Sequence, residues 1–187
     1  MKEYYNITVA GVNRDLPICR LNENLCIAGF VIFGDVEMTR ACAAALLEKA
    51  PDFDLIVTAE SKGIPLAHEM VAQAGRSKYI LARKAPKLYM KDPVGVEVKS
   101  ITTAARQMLY LDRPDMEEMK GKRILIVDDV ISTGESLASL ETLVNKAGGN
   151  IVGKMAILAE GDAKDRDDLI YLEYLPLFDS EGNPLAD

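Results

Sequence analysis

The chain has 187 residues, 49% of them apolar and 27% charged, which is the balance of one ordinary globular domain. Lys and Arg number 22 against 29 Asp and Glu, a net charge of −7. That sign argues against a general nucleic-acid coat or a binder of anionic membranes, so any phosphate chemistry must come from a local site.

The longest apolar run, Leu25 to Gly34, has ten residues, short of the roughly 20 that span a bilayer. The start, MKEYYNITVAGVNRD, shows no secretory pattern. Cys19, Cys26 and Cys42 form no CxxC pair and have a single histidine, His68, for company. They are expected to be buried, reduced thiols of a cytoplasmic protein.

Short apolar stretches at Ile7–Val12, Leu16–Leu21 and Leu25–Phe33 alternate with Asn, Asp and Gly, which predicts a small N-terminal sheet. Val36 to Ala50 is helical in pattern and stops at Pro51. A regular alternation follows: strands at Asp54–Ala59, Lys78–Ala82, Arg123–Val127 and Ile151–Leu158, helices at Ile64–Ala74 and Ser136–Ala147. Such continuous aliphatic strands between helices predict an α/β fold with a mostly parallel, twisted sheet covered on both faces. In helix 136–147, Leu137, Leu140, Leu143, Val144 and Ala147 share one face.

From Lys84 to Gly121 the regularity fails. Lys84–Gly95 is a long basic loop, 96–111 is expected to hold two short strands, and a loop of this length predicts a lid over a binding site. A last strand is expected over Leu169–Tyr174, and the charged run from Asp162 to Asp168 reads as a solvated turn.

The chemistry concentrates in RILIVDDVISTGES, Arg123 to Ser136. An apolar strand runs into Asp128 and Asp129, and a turn of Ser132, Thr133, Gly134, Glu135 and Ser136 opens a helix. The turn's N–H groups and the helix dipole suit a phosphate monoester. Two carboxylates beside a phosphate must face hydrogen-bond donors instead, and a ribose diol supplies them. The predicted ligand is a phosphorylated sugar at the carboxyl edge of a parallel sheet. A receiver domain would begin with such an acid pair, yet only 58 residues follow Asp129. No GKS or GKT is present to form a Walker loop.

ILIVDDVISTGES resembles the signature of the type I phosphoribosyltransferases, which use phosphoribosyl pyrophosphate (PRPP) and Mg2+. Glu60-Ser61-Lys62-Gly63 after the first core strand resembles their pyrophosphate loop, and Ala82-Arg83-Lys84 through Lys87 resembles the start of their flexible lid. The resemblance covers roughly residues 35 to 175. It implies a hood over residues 1–34 and a transferase core over 35–187 with a lid at about 84–111.

By the same resemblance, Asp128 and Asp129 would hold the ribose hydroxyls as the catalytic acids, and Ser132, Thr133, Gly134, Glu135 and Ser136 would bind the 5′-phosphate. Glu60, Ser61, Lys62, Gly63, Arg83, Lys84 and Lys87 would line the pyrophosphate, with a strained cis peptide in the 60–63 loop as in many relatives. Mg2+ would be held mainly by PRPP, with no direct protein ligand.

Val130 is expected against the base. Phe33 is read first as a core aromatic and second as a ring stacked on the base. Hypoxanthine-guanine enzymes carry an Asp in the slot of Ser132, so the pattern lies nearer the adenine and then the xanthine enzymes. The stretch from Ser100 to Gln107 lacks the Glu of adenine enzymes and is closer to the xanthine pattern. The implied partners are PRPP, a purine base and a second copy in a homodimer, without nucleic acid or membrane. The alternative is a PRPP-binding regulator with the same fold. Such regulators carry an added N-terminal DNA-binding helical domain, whereas this chain opens with strands and has no basic helix.

Overall fold

The computed structural model describes residues 2–98 and 107–185. Strands β1 (Tyr4–Val9), β2 (Val12–Arg20) and β3 (Cys26–Ala28) form an antiparallel sheet in that order. Ala10 and Gly11 join β1 to β2 with φ of 49° and 79°, the positive pair that a two-residue hairpin turn requires. Along β2, Leu16 and Ile18 face inward while Pro17 and Cys19 face out. Strand alternation therefore leaves Cys19 exposed, correcting the expectation of three buried thiols; Cys26 and Cys42 are buried. Burial pushes the Cys42 thiol up to about 12, as expected of an inert core cysteine.

Helix α1 (Val36–Lys49) is capped by Asp35, whose side chain accepts the Met38 N–H at 3.1 Å. Arg14 of β2 grips the same carboxylate through Nε at 2.8 Å and Nη2 at 3.0 Å, tying the N-terminal sheet to the helix.

The remaining elements are β4 (Leu55–Ala59), α2 (Ile64–Gln73), β5 (Ile80–Ala82), β6 (Val94–Val98), β7 (Gln107–Leu111), α3 (Arg113–Met119), β8 (Arg123–Ile131), α4 (Glu135–Ala147), β9 (Asn150–Glu160) and β10 (Ile170–Leu175). A 3₁₀ turn at Gly161–Asp165 links β9 to β10. Five strands form a wholly parallel sheet in the order β10-β9-β8-β4-β5, and β6 pairs with β7 antiparallel, as the two short strands expected there. The α/β architecture expected from the alternating pattern is thus present.

Helices cover both faces. Met38, Cys42 and Leu46 of α1 and Leu66, Ala67 and Met70 of α2 pack with Leu125 and Val127 and with the N-terminal sheet. Leu137, Leu140, Leu143 and Val144 of α4 pack with Ile124, Ile126 and Met119 on the opposite face. Each of those α4 side chains contributes roughly 1.5–3 kcal/mol by leaving water. Gly148 ends α4 with φ of 74°.

Helix α3 was not expected, although Asp112 as cap, Pro114 and Asp115 in the first turn are ordinary helix-start signals. Among the described residues no helix is long and apolar enough to cross a membrane. From β4 the chain moves to β5 on one side, then returns to β8, β9 and β10 on the other. The carboxyl ends of β4 and β8 therefore flank a switch point, where open parallel sheets form their ligand crevice.

Candidate active site

Asp128 and Asp129 lie within β8, which extends four residues beyond its expected end at Val127. Both are buried, 7% and 4% exposed, despite their charge. Leaving two carboxyls dry and adjacent is costly, so each draws on the loop after β4. The Ser61 hydroxyl donates to Asp128 Oδ1 at 3.1 Å, and the same oxygen accepts the Asp129 N–H at 2.9 Å. Desolvation first, then the neighbouring charge of Asp129, pushes the Asp128 carboxyl well above the usual carboxylate range.

Lys62 serves the second acid. Its Nζ lies 3.4 Å from Asp129 Oδ2 and donates to the Phe30 carbonyl at 2.7 Å. The ion pair lacks hydrogen-bond alignment, and Asp129 Oδ2 has no hydrogen-bond partner. Thr58 Oγ1 and Arg83 Nε are the other buried side-chain polar atoms without a partner among the described residues. All three belong to the segments that the sequence singled out or adjoin them. Unsatisfied buried polar atoms cost about 1–3 kcal/mol each, so their gathering at one crevice marks a place built for a ligand.

The loop between β4 and α2 approaches the acids closely because Gly63 has no side chain. A β-carbon there would stand 2.7 Å from Asp128 Oδ1 and 2.8 Å from Thr58 Oγ1. Described peptide bonds are all trans, so the cis bond expected in the 60–63 loop is not present.

Arg83 at the end of β5 exchanges two backbone hydrogen bonds with Tyr110 of β7, 2.8 Å each. Its Nη2 lies 3.1 Å from Glu60 Oε1, and Lys87 Nζ lies 3.9 Å from the same oxygen. The Lys84 N–H donates to Glu60 Oε2 at 2.8 Å. The structure thus joins the basic loop to the 60–63 loop through Glu60. Residues 100–106, compared above with the adenine and xanthine patterns, lie outside the described residues.

Ser132 and Thr133 are exposed after β8, and Gly134 caps α4 with φ of 77°, a left-handed conformation that glycine takes without strain. Glu135 and Ser136 begin the helix. The N–H groups of its first turn face the crevice end of the sheet.

Two neighbours of this turn were missed. Arg166, read as part of a solvated turn, places Nη1 2.8 Å from where a Gly134 β-carbon would stand. It is held by Asp168 through Nε at 3.0 Å and Nη2 at 2.9 Å, and Lys154 grips Asp168 at 2.7 Å. Glu160 at the end of β9 bonds the Ser132 side chain, and burial raises its carboxyl. A cleft of about 350 Å³ lies between Ser132, Thr133, Glu160 and Arg166. No spacing signal could have found either residue, because the pairing of β9 with β8 brings Glu160 here and the 3₁₀ turn with the Asp168 ion pairs brings Arg166.

Val130 is half-buried next to the acids and packs against the core that includes the N-terminal sheet. Phe33 is 57% exposed, which overturns its reading as a core aromatic: the chain turns at Gly34 and leaves the ring outside. His68 is exposed and lines a cavity between α1 and α2, edge-on to Tyr79.

A switch-point crevice combining buried acids, a glycine-tight loop, a basic segment and a helix N-terminus defines a parallel-sheet α/β protein with a candidate ligand site at the carboxyl edge of its sheet. The sequence model of the phosphoribosyl transferase domain matches residues 37–181, and this chain belongs to that family. It is 37% identical over 141 residues to adenine phosphoribosyltransferase of Renibacterium salmoninarum, covering 74% of this chain and 73% of that one. It is 34% identical over 115 residues to hypoxanthine/guanine phosphoribosyltransferase of Methanococcus voltae, covering 62% and 57%. The chain spans about three-fifths of the length of the hypoxanthine/guanine relatives it matches. The solved structure of adenine phosphoribosyltransferase from Saccharomyces cerevisiae shares the fold, with a TM-score of 0.66 at 19% identity over 91% of this chain and 92% of that one.

Proposed function

We propose that the protein is a purine phosphoribosyltransferase, moving the 5-phosphoribosyl group of PRPP to a purine in salvage. The observation that carries this reading is the buried Asp128–Asp129 pair with its orphaned Asp129 oxygen, facing Ser61 and Lys62 across the switch point. The orphaned oxygen needs a donor, and a vicinal ribose diol supplies one there while its second hydroxyl meets the neighbouring carboxyl.

In the proposed reaction a base nitrogen forms a bond to C1′ as the C1′–O bond to pyrophosphate breaks, the electron pair leaving with pyrophosphate and the proton of that nitrogen passing to water. Asp128 and Asp129 hold the ribose hydroxyls, and their negative potential favours the cation-like sugar ring. The Ser132–Ser136 turn binds the 5′-phosphate through backbone N–H groups and the helix dipole. Glu60, Ser61, Lys62, Gly63, Arg83, Lys84 and Lys87 line the pyrophosphate, and Val130 and Phe33 face the base.

Among the described residues no three His, Cys, Asp or Glu side chains converge as a metal cage. The acidic edge made by Asp128 and Asp129 fits Mg2+ carried chiefly by substrate oxygens nearby, with the two acids themselves kept for the ribose hydroxyls. Bound there, the ion would neutralise charge on the departing pyrophosphate. The N-terminal strands act as the hood and 84–111 as the lid of a homodimeric, cytoplasmic enzyme.

Adenine is the first base proposed and xanthine the second, because Ser132 stands where hypoxanthine-guanine enzymes carry Asp. Hypoxanthine and guanine form the alternative, favoured by the relatives of those names at 32–35% identity. Assay of adenine, xanthine, hypoxanthine and guanine with PRPP and Mg2+, reading pyrophosphate release, tests both readings. Turnover of one purine is expected; release with none of them rejects the enzyme.

A further inference from the structure

Glu60 carries the wrong sign for its position. It belongs to the loop proposed to receive pyrophosphate, yet its carboxylate already engages the groups that would hold that anion. Oε2 accepts the Lys84 N–H at 2.8 Å, while Oε1 lies 3.1 Å from Arg83 Nη2 and 3.9 Å from Lys87 Nζ. The Lys84 amide, followed by Arg83 and Lys87, holds this carboxyl below its ordinary range, so it is ionised at neutral pH. The Glu60 side chain is 28% exposed, within reach of an incoming solute.

Arg83 is fixed from other directions as well. Its backbone pairs with Tyr110, and Nη1 donates to the Tyr89 hydroxyl at 2.9 Å. Its Nε remains buried without an acceptor. Glu60 thus satisfies part of a donor array that still has capacity for a larger, more highly charged acceptor.

Resting on the phosphoribosyltransferase reading, we propose that Glu60 is an anionic placeholder, a positioning residue that occupies Arg83, Lys84 and Lys87 until a pyrophosphate group displaces it. The Arg83 and Lys87 cations close together repel one another, and a tethered carboxylate that also accepts the Lys84 amide keeps the segment gathered in the free protein. Pyrophosphate offers more charge and more acceptor oxygens than one carboxylate, so it takes the donors. When pyrophosphate departs, the carboxylate returns at high effective concentration and speeds its release.

Calorimetric titration of inorganic pyrophosphate with Mg2+ into the wild type, Glu60→Gln and Glu60→Asp tests this. Gln keeps an acceptor for the Lys84 N–H and loses the competing charge. Glu60→Gln is expected to bind pyrophosphate about twofold to fivefold more tightly, the size of one exposed ion pair, and to release it more slowly. Glu60→Asp is expected to stay near wild type, and ribose 5-phosphate, which lacks the pyrophosphate, to bind all three alike. Glu60→Ala with its thermal melt replaces Gln should that variant fold poorly. Unchanged or weaker pyrophosphate binding in the neutral variants, with ribose 5-phosphate still bound, overturns the placeholder alone. A wild type that binds neither compound overturns the phosphoribosyltransferase reading and this inference with it.

Discussion

The backbone of Gly63 touches the side chain of Asp128 so closely that a single β-carbon would stand 2.7 Å from Oδ1. Its φ of −68° suits any residue, so the constraint is space and not conformation. Gly63→Ala must push the loop from the acids, since Thr58 Oγ1 at 2.8 Å blocks the other way. A displacement near 1 Å costs on the order of 100-fold in turnover. Steady-state kinetics with PRPP, beside a thermal melt, should show that loss with folding retained; full activity would show that the loop position is immaterial.

Asp128→Asn and Asp129→Asn remove the charge and replace one acceptor oxygen of each proposed ribose ligand by an N–H donor. Weaker PRPP binding and turnover reduced by about 100-fold or more are expected, with the circular dichroism spectrum preserved. Unaltered kinetic constants in both variants would detach the acids from the sugar.

Asp128 also sets a pH dependence of stability. Folding raises its pKa from 3.8 to about 7 by desolvation and by Asp129. Between those values the native state binds more protons than the unfolded chain, so this group's contribution to stability falls as pH rises and is fully lost above about 7. Asp168, held down by Lys154 and Arg166, works in the opposite direction and cancels when variants are compared. Relative to wild type, Asp128→Asn should gain stability between pH 4 and 7, by about 1–4 kcal/mol across the window. Parallel denaturation curves at the two pH values would contradict the assigned burial penalty.

Lys84→Ala and Lys87→Ala should each raise the KM for PRPP several-fold and leave the affinity for the base unaltered. Lys87 reaches Glu60 of the proposed pyrophosphate loop with its ammonium and Lys84 with its backbone N–H, which leaves the Lys84 side chain for the substrate in this proposal. A selective loss of base binding would move the basic segment to the other side of the reaction.

Phe178 is fully buried, packs edge-on to Tyr5 at 5.0 Å, and exchanges two backbone hydrogen bonds with Cys26 of β3. It pins the segment after β10 to the N-terminal sheet. Phe178→Ala should cost about 3–5 kcal/mol in denaturant unfolding. Earlier proteolysis within residues 2–28 should accompany that loss if the sheet depends on this contact.

Much of the fold was legible because its signals are local. An aliphatic run ending in two aspartates, then hydroxyl residues and glycine before an apolar helical stripe, specifies strand, turn and helix without reference to the rest of the chain. The Arg123–Ser136 segment therefore points to the proposed phosphosugar site by itself, and the alternation after Pro51 identifies the parallel sheet. Cys19 failed as a buried thiol because the side of β2 it occupies depends on register, and Phe33 failed as a core ring because one glycine turned the chain away.

What the sequence determined by itself is the identity of the chemistry-bearing turn and the class of sheet that carries it, because backbone periodicity and capping act over a few residues. Only the tertiary structure decided that Lys62 reaches Phe30 and Asp129, that Glu60 lies among Arg83, Lys84 and Lys87, and that Arg166 stands beside Gly134. Those neighbours come from strands and loops far apart in the chain. Strand order and packing brought them together, and no local pattern encodes that outcome.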